Sequence, residues 1–407
     1  MKKFKTSEYT LYSLIFLYTL EKVSYNKLSE YLNHQFEQII YGLLFLLFYL
    51  ILSKKYLFDR FLIIIVLLSI SFSWLDPYFE PRSDPIYHAN VLFDSLDKNV
   101  YKDSVNRAYI NRAFFYLFHK IFNFNNHIDN NWIILYVFHL FSTTLLSTSC
   151  YASSRILGLD KKWSLFSVLL MILFYGTNRF SFFSYYSLAP TILNSAIYWM
   201  VSAYLLKYLF KKNLNIRYII QYIFIAISLI PMLYLNHKQE AAFLLLIIEL
   251  SIIVVIWRVF ILFRILLLII LFIPCLYIVK LYVVPDSIIN QIIQHSDYYR
   301  DILGIWMISK WNAPRLLDSF GLIGGIGIIS SFIILVISIF NKKYFNLTFI
   351  IPGLYPLWIM FIPLNFFLWI YIINTQELFW RIAYFHQYWI SISFVLFSIE
   401  QKINEKQ

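Results

Sequence analysis

Residues 218–235 read YIIQYIFIAISLIPMLYL, residues 236–240 read NHKQE, and residues 241–257 read AAFLLLIIELSIIVVIW. Two apolar runs of helical, membrane-crossing composition are therefore separated by five polar residues, Asn236, His237, Lys238, Gln239 and Glu240. A soluble helical hairpin would carry a polar stripe along each helix, whereas these runs are apolar on every side. Their backbone polar groups must be satisfied within each run, as in a transmembrane helix. The rest of the 407-residue chain repeats the pattern, with 60% hydrophobic and 14% charged residues and a mean hydropathy of +0.66. Average globular usage is about half apolar and about a quarter charged, so an ordinary soluble domain, a disordered chain and a basic nucleic-acid-binding globule are all excluded. Cys150 and Cys275 both lie in apolar runs, which excludes a disulfide framework and a thiolate metal centre.

Working outward from residues 218–257 gives twelve candidate spans in an all-α polytopic membrane protein, read as one integral membrane domain over 1–407 with 11–12 crossings. Before that pair come Tyr9–Leu20, Phe36–Leu52, Phe61–Leu75, Trp132–Ala152, Trp163–Tyr175 and Pro190–Leu206; after it come Ile265–Val284, Phe320–Phe340, Phe345–Ile373 and Ile382–Ile399. Tyr9–Leu20 reaches only about 18 Å and either extends or lies in the interface. Phe345–Ile373 contains Pro352, Pro356 and Pro363 and is expected to kink or re-enter. Gly321, Gly324, Gly325 and Gly327 are expected to allow close helix packing rather than to bind phosphate.

The formal charge of +12 is distributed unevenly. With Met1 inside, the connections 53–60, 155–162, 207–217, 258–264 and 341–344 and both termini face the cytoplasm, and together they hold 19 of the 34 lysines and arginines. Short cation-rich loops mark the cytoplasmic side, so both termini are expected there. The long polar segments 76–131, 178–189, 236–240, 285–319 and 374–381 then share the outer face, leaving little cytoplasmic room for a nucleotide. The abundance of Ile, Phe, Tyr, Asn and Lys suggests an AT-rich genome and a bacterial inner membrane.

On that outer face, residues 74–89 read WLDPYFEPRSDPIYHA, with Asp76, Glu80 and Asp84 beside the membrane surface. Asp84 before Pro85 suits an N-cap with proline at the first helical position, a role compatible with catalysis. An early span leading into a large outer loop with a membrane-proximal acid, followed by an amphipathic helix (107–124) and many further spans, resembles the GT-C superfamily of polyprenyl-phosphate-sugar-dependent glycosyltransferases. The resemblance lies in the order of spans and loops, with the Asp84, Tyr87 and His88 region as its motif. It departs from the family in placing two candidate spans before the one that leads into the loop.

The resemblance implies transfer of a sugar from a polyprenyl-phosphate donor to a glycan or lipid acceptor on the outer face. Asp84 would take the proton of the attacking hydroxyl, with Asp76 as the alternative base or as a second ligand to Mg or Mn. The phosphate would be held by cationic groups. His237 and Lys238, with Glu240 orienting one of them or binding sugar hydroxyls, compete with a reading in which Lys238 merely snorkels to headgroups. Arg381, beside Tyr384 and His386, is similar in position to a phosphate-binding arginine of the family, or else snorkels at the mouth of the last span. Segment 285–319 is expected to cap the cavity. An O-antigen-type polymerase or ligase working through Arg300 and Arg315, and a lipid-linked glycan flippase or transporter using Glu249, are the competing readings.

Overall fold

In the computed structural model the described residues are 34–56, 59–75, 84–94, 96, 108–122, 130–174, 188–211, 213–259, 322–338, 344–354 and 386–404. Among them there are helices and no strands. In chain order they are α1 (His34–Ser53), α2 (Phe61–Leu75), α3 (Asp84–Asp94), α4 (Tyr109–Phe122), α5 (Asn130–Leu157), α6 (Lys161–Phe174), α7 (Pro190–Leu209), α8 (Ile216–Asn236), α9 (Lys238–Val259), α10 (Leu322–Ser338), α11 (Tyr344–Leu354) and α12 (Tyr388–Asn404). The segments α8 and α9, together with Ile133–Leu157 of α5, are long and apolar enough to cross a membrane. Candidate spans Tyr9–Leu20 and Ile265–Val284, and the later part of Phe345–Ile373, lie outside the described residues, as do Asp76, Arg381 and the cap segment 285–319.

The surface is inverted relative to that of a soluble protein. Ile63, Leu67, Ile220, Leu322 and Ile329 are exposed, while serines and threonines line the interior of α5. Those hydroxyls return to the carbonyl one turn earlier, from Thr143 to His139, Ser147 to Thr143 and Ser154 to Cys150, at 2.8–2.9 Å. A hydroxyl satisfied within its own helix can sit in an apolar bundle without exposing a polar group, and its small volume lets neighbouring helices approach. Exposed aliphatic side chains over an interior of hydroxyls paired within their own helix are what a lipid solvent selects, and the described fold is that of a membrane protein.

The helices group into two compact units. In the first, which includes residues 1–175, 180–204 and 220–244, α1 packs on α4, α2 on α5 and α6, and α4 on both α3 and α5. The α1–α4 contact is close because Gly42 leaves no side chain against Ala113. Phe45, Phe114 and Phe141 continue that contact into α5 through tilted and edge-to-face rings. The amphipathic helix expected at 107–124 is present as α4, but residues 110–115 at its start are buried, so half of it is core rather than surface.

At the α5–α6 connection, Gly158 adopts φ 121°, the left-handed conformation that ends α5. Asp160 then caps α6 through the Trp163 N–H at 2.8 Å. Asp59, between α1 and α2, meets this turn: it accepts from Tyr151 at 3.0 Å and pairs with Lys161 at 3.2 Å. Burial opposes ionisation of Asp59, but the Phe61 N–H, Lys161 and Tyr151 outweigh it and hold the carboxyl below its usual value. Loops 53–60 and 155–162, assigned to one side by their cations, thus meet.

In the second unit, which includes residues 205–219 and 245–407, Arg258 donates to the carbonyls of Leu209 and Lys211 at 2.8 Å and closes the end of α7. Loops 207–217 and 258–264, also assigned to one side, meet here as well. Further along, Phe349 stacks on Phe394, and Ser331 and Ser391 bond each other across helices α10 and α12 at 2.7 Å. Gly327 abuts Tyr388, whereas Gly325 has open space, so the expected glycine packing holds at one position and not at the other.

Candidate functional site

Helix α8 runs through Asn236 and α9 begins at Lys238, so the five-residue polar turn narrows to a break of one residue, His237. Even the His237 N–H keeps a helical bond, to Leu233 O at 2.7 Å. His237 stands at the N-cap of α9 and Glu240 in its first turn, where the free N–H groups favour an anion. Three segments meet at this break: residues 108–111 and 236–240, from stretches that the charge pattern assigns to one side, and residues 188–194, where the like-assigned stretch 178–189 passes into the span that begins at Pro190.

The first junction is a helix cap supplied from a distance. Ala108, which precedes α4, has no side-chain acceptor and holds φ at 65°, a costly conformation for alanine. Asn236 fills the missing role: its Oδ1 accepts the N–H of Ile110 at 3.0 Å and of Asn111 at 3.4 Å, and its carbonyl accepts the N–H of Ala108 at 2.9 Å. Asn111 in turn donates to Leu188 O at 3.0 Å. The Asn236 amide orientation is thereby fixed, since backbone N–H groups can only donate to it and Pro190 O, at 3.2 Å, can only accept.

The second junction inherits that orientation. Asn236 Nδ2 donates to Asn194 Oδ1 at 2.9 Å, leaving Asn194 Nδ2 to face Leu233 O at 2.9 Å, His237 O at 3.1 Å and Glu240 Oε2 at 3.2 Å. Glu240 is 0% exposed. Its other oxygen accepts from the Thr191 hydroxyl, and Oε2 also meets His237 Nδ1 at 2.7 Å. A buried carboxylate without such donors would cost several kcal/mol, roughly what an unpaired buried ion costs after relaxation. Here hydroxyl, amide and imidazole groups surround it.

His237 is 25% exposed. Lys238 places its ammonium 5.3 Å from the centre of the Tyr234 ring, a cation–π contact. Tyr87 and His88 lie on α3, their rings packed edge to face at 5.4 Å, with Tyr87 exposed. Asp84 begins α3, as the Asp-Pro pair predicts, but its side chain, like Asp76 and Arg381, falls outside the described set. Helix α3 packs on α4 through Phe93 and Phe115 at 5.7 Å, so the elements bearing Asp84 and His237 are both fastened to α4.

Of the expected site residues, His237 and Glu240 are brought into contact. The expected metal ligands Asp76 and Asp84 cannot be placed from described side chains, and among the described residues no group of three His, Cys, Asp or Glu gathers. Sequence reasoning missed Thr191, Asn194 and Asn111. The signal for the first two was present, because amide and hydroxyl groups three positions apart in an apolar run must find partners on one helix face. Comparison with protein-family models, with curated proteins and with solved structures gives no match to this chain.

Proposed function

We propose that the chain is a membrane glycosyltransferase moving a sugar from a polyprenyl-phosphate donor to a glycan or lipid acceptor at the outer face. The observation that carries this reading is the convergence of three segments of like sidedness on a buried carboxylate–imidazole pair, with α3, the helix begun by Asp84, fastened to the same support. A reaction that joins an alcohol to an anomeric carbon needs a proton acceptor and a cationic setting for the departing phosphate at a membrane-level site. By the family likeness alone Asp84, with Asp76 beside it, would be the acceptor, and His237, Lys238 and Arg381 would hold the phosphate. Mg or Mn, if bound by Asp76 and Asp84, would supply charge stabilisation at the phosphate.

The full chain in proteoliposomes, supplied with a set of radiolabelled polyprenyl-phosphate sugars and membrane-extracted glycan acceptors, is expected to transfer label. Asp84→Asn should insert normally yet turn over at least 100-fold more slowly, whether its carboxylate accepts a proton or holds a cation. Absence of transfer by the unmodified chain, or an Asp84→Asn chain as active as its parent, overturns the respective claim.

A further inference from the structure

We infer that His237 is the proton-accepting catalytic residue of this site, in place of Asp84, and that Glu240 is its positioning residue. The inference rests on the transferase reading for the identity of the proton donor, an acceptor alcohol. The dyad itself follows from hydrogen-bond accounting.

The chain of reasoning starts at the backbone. The N–H groups of Ile110 and Asn111 fix the Asn236 amide, and Asn236 together with the carbonyls of Leu233 and His237 fixes that of Asn194. Asn194 then turns its NH2 group, shared with the carbonyls of Leu233 and His237, toward Glu240 Oε2, while Thr191 donates to Oε1. With both oxygens receiving hydrogen bonds, Glu240 acts as an acceptor toward His237, so the proton on Nδ1 points at Glu240. The remaining ring nitrogen, Nε2, carries the lone pair, on a side chain that is one-quarter exposed.

A carboxylate that accepts Nδ1–H both selects this tautomer and stabilises the imidazolium formed when Nε2 takes a proton. In the step, the acceptor oxygen bonds to the anomeric carbon as its O–H bond breaks. The anomeric C–O bond to phosphate breaks with its electron pair leaving on the lipid phosphate, and the proton ends on Nε2. Atoms and charge balance without any further reactant. Asp84 is then left to hold sugar hydroxyls or a cation.

Two measurements test this separately from the transferase reading. In the full chain in nanodiscs, without substrate, diethylpyrocarbonate should carbethoxylate His237 at Nε2, read by mass spectrometry. Glu240→Gln should slow that labelling at least fivefold. An unlabelled His237, or a rate indifferent to Glu240→Gln, overturns the dyad. In the transfer assay His237→Gln should lower kcat at least 100-fold with KM within threefold, and Glu240→Gln should lower kcat at least tenfold with the same KM pattern. A His237→Gln chain with kcat within threefold of its parent overturns the proton-accepting role while leaving the transferase reading standing. A parent chain that transfers none of the supplied sugars overturns the transferase reading, whatever the labelling shows. If Glu240→Gln fails to fold, His237→Gln, altered at a partly exposed position, carries the test.

Discussion

At the scale of single residues, Asn236 does the most to tie the site together. One side chain caps a helix by accepting the N–H of a residue 126 positions earlier in the chain and orients the amide that faces Glu240. Removing it leaves the Ile110 and Asn111 N–H groups and the Pro190 carbonyl without this partner, each a cost of about 1–3 kcal/mol when buried. Asn236→Ala is therefore expected to lower the unfolding transition of the purified chain by several degrees. Ala108 gives the complementary prediction. Its φ of 65° is strained for any residue with a Cβ, so Ala108→Gly should raise stability by up to about 1 kcal/mol, and Ala108→Val should lower it. Thermal unfolding in detergent, followed by circular dichroism, checks all three; a stabilised Asn236→Ala or a destabilised Ala108→Gly chain would refute this account of the cap. None of this was legible in the sequence, because a cap supplied across 126 residues leaves no local spacing to read. The pair His237 and Glu240, three positions apart at the start of a helix, was legible for the opposite reason.

At the scale of elements, apolar run length and helix punctuation carried most of the information. Asp84-Pro85 begins a helix, Phe61–Leu75 is recovered with the same bounds, and Pro190 opens α7 as the first helical residue. Helix α4 is instructive. Its alternation of aromatic and polar residues suits a surface helix, yet Asn111 and Arg112 are buried with Phe114 and Phe115. Asn111 is covered by Leu188 and Asn236, while α1 approaches the Ala113 side through a gap at Gly42, where a Cβ would stand 2.9 Å from the Ala113 Cβ. Gly42→Val should push α1 and α4 apart and cost about 1–3 kcal/mol, the usual range for overpacking. Gly325→Ala, facing open space inside α10, should raise stability by about 0.5–1 kcal/mol. The two variants compared in the same unfolding assay decide the point, and equal effects would mean that close packing at Gly42 is not what seats α4.

At the scale of the whole molecule, cation counts divide the loops into two sets, and three junctions among the described residues each join loops of one set. Asp59 reaches Lys161, Arg258 reaches Leu209 and Lys211, and Asn236 reaches Ile110 and Pro190. Each of these joined loops is separated by an even number of the proposed crossings, the parity required if α2 and α5–α9 all span. Yet α2 and α6, at 15 and 14 residues, cover only about 21–23 Å as straight helices. They would span by drawing the bilayer inward or by snorkelling of flanking residues, at a modest cost per ångström. Parity and length thus make different demands, and accessibility separates them. In a chain with Cys150 and Cys275 replaced by alanine, a cysteine at Lys238 should react with a membrane-impermeant maleimide in intact cells. A cysteine at exposed Lys162, three proposed crossings earlier, should react only after permeabilisation. Labelling of both in intact cells, or of neither, would show that one of α6, α7 and α8 fails to cross. The reverse pattern would keep the crossings but turn the His237–Glu240 pair toward the cytoplasm, where a polyprenyl-linked sugar presented at the outer face could not reach it.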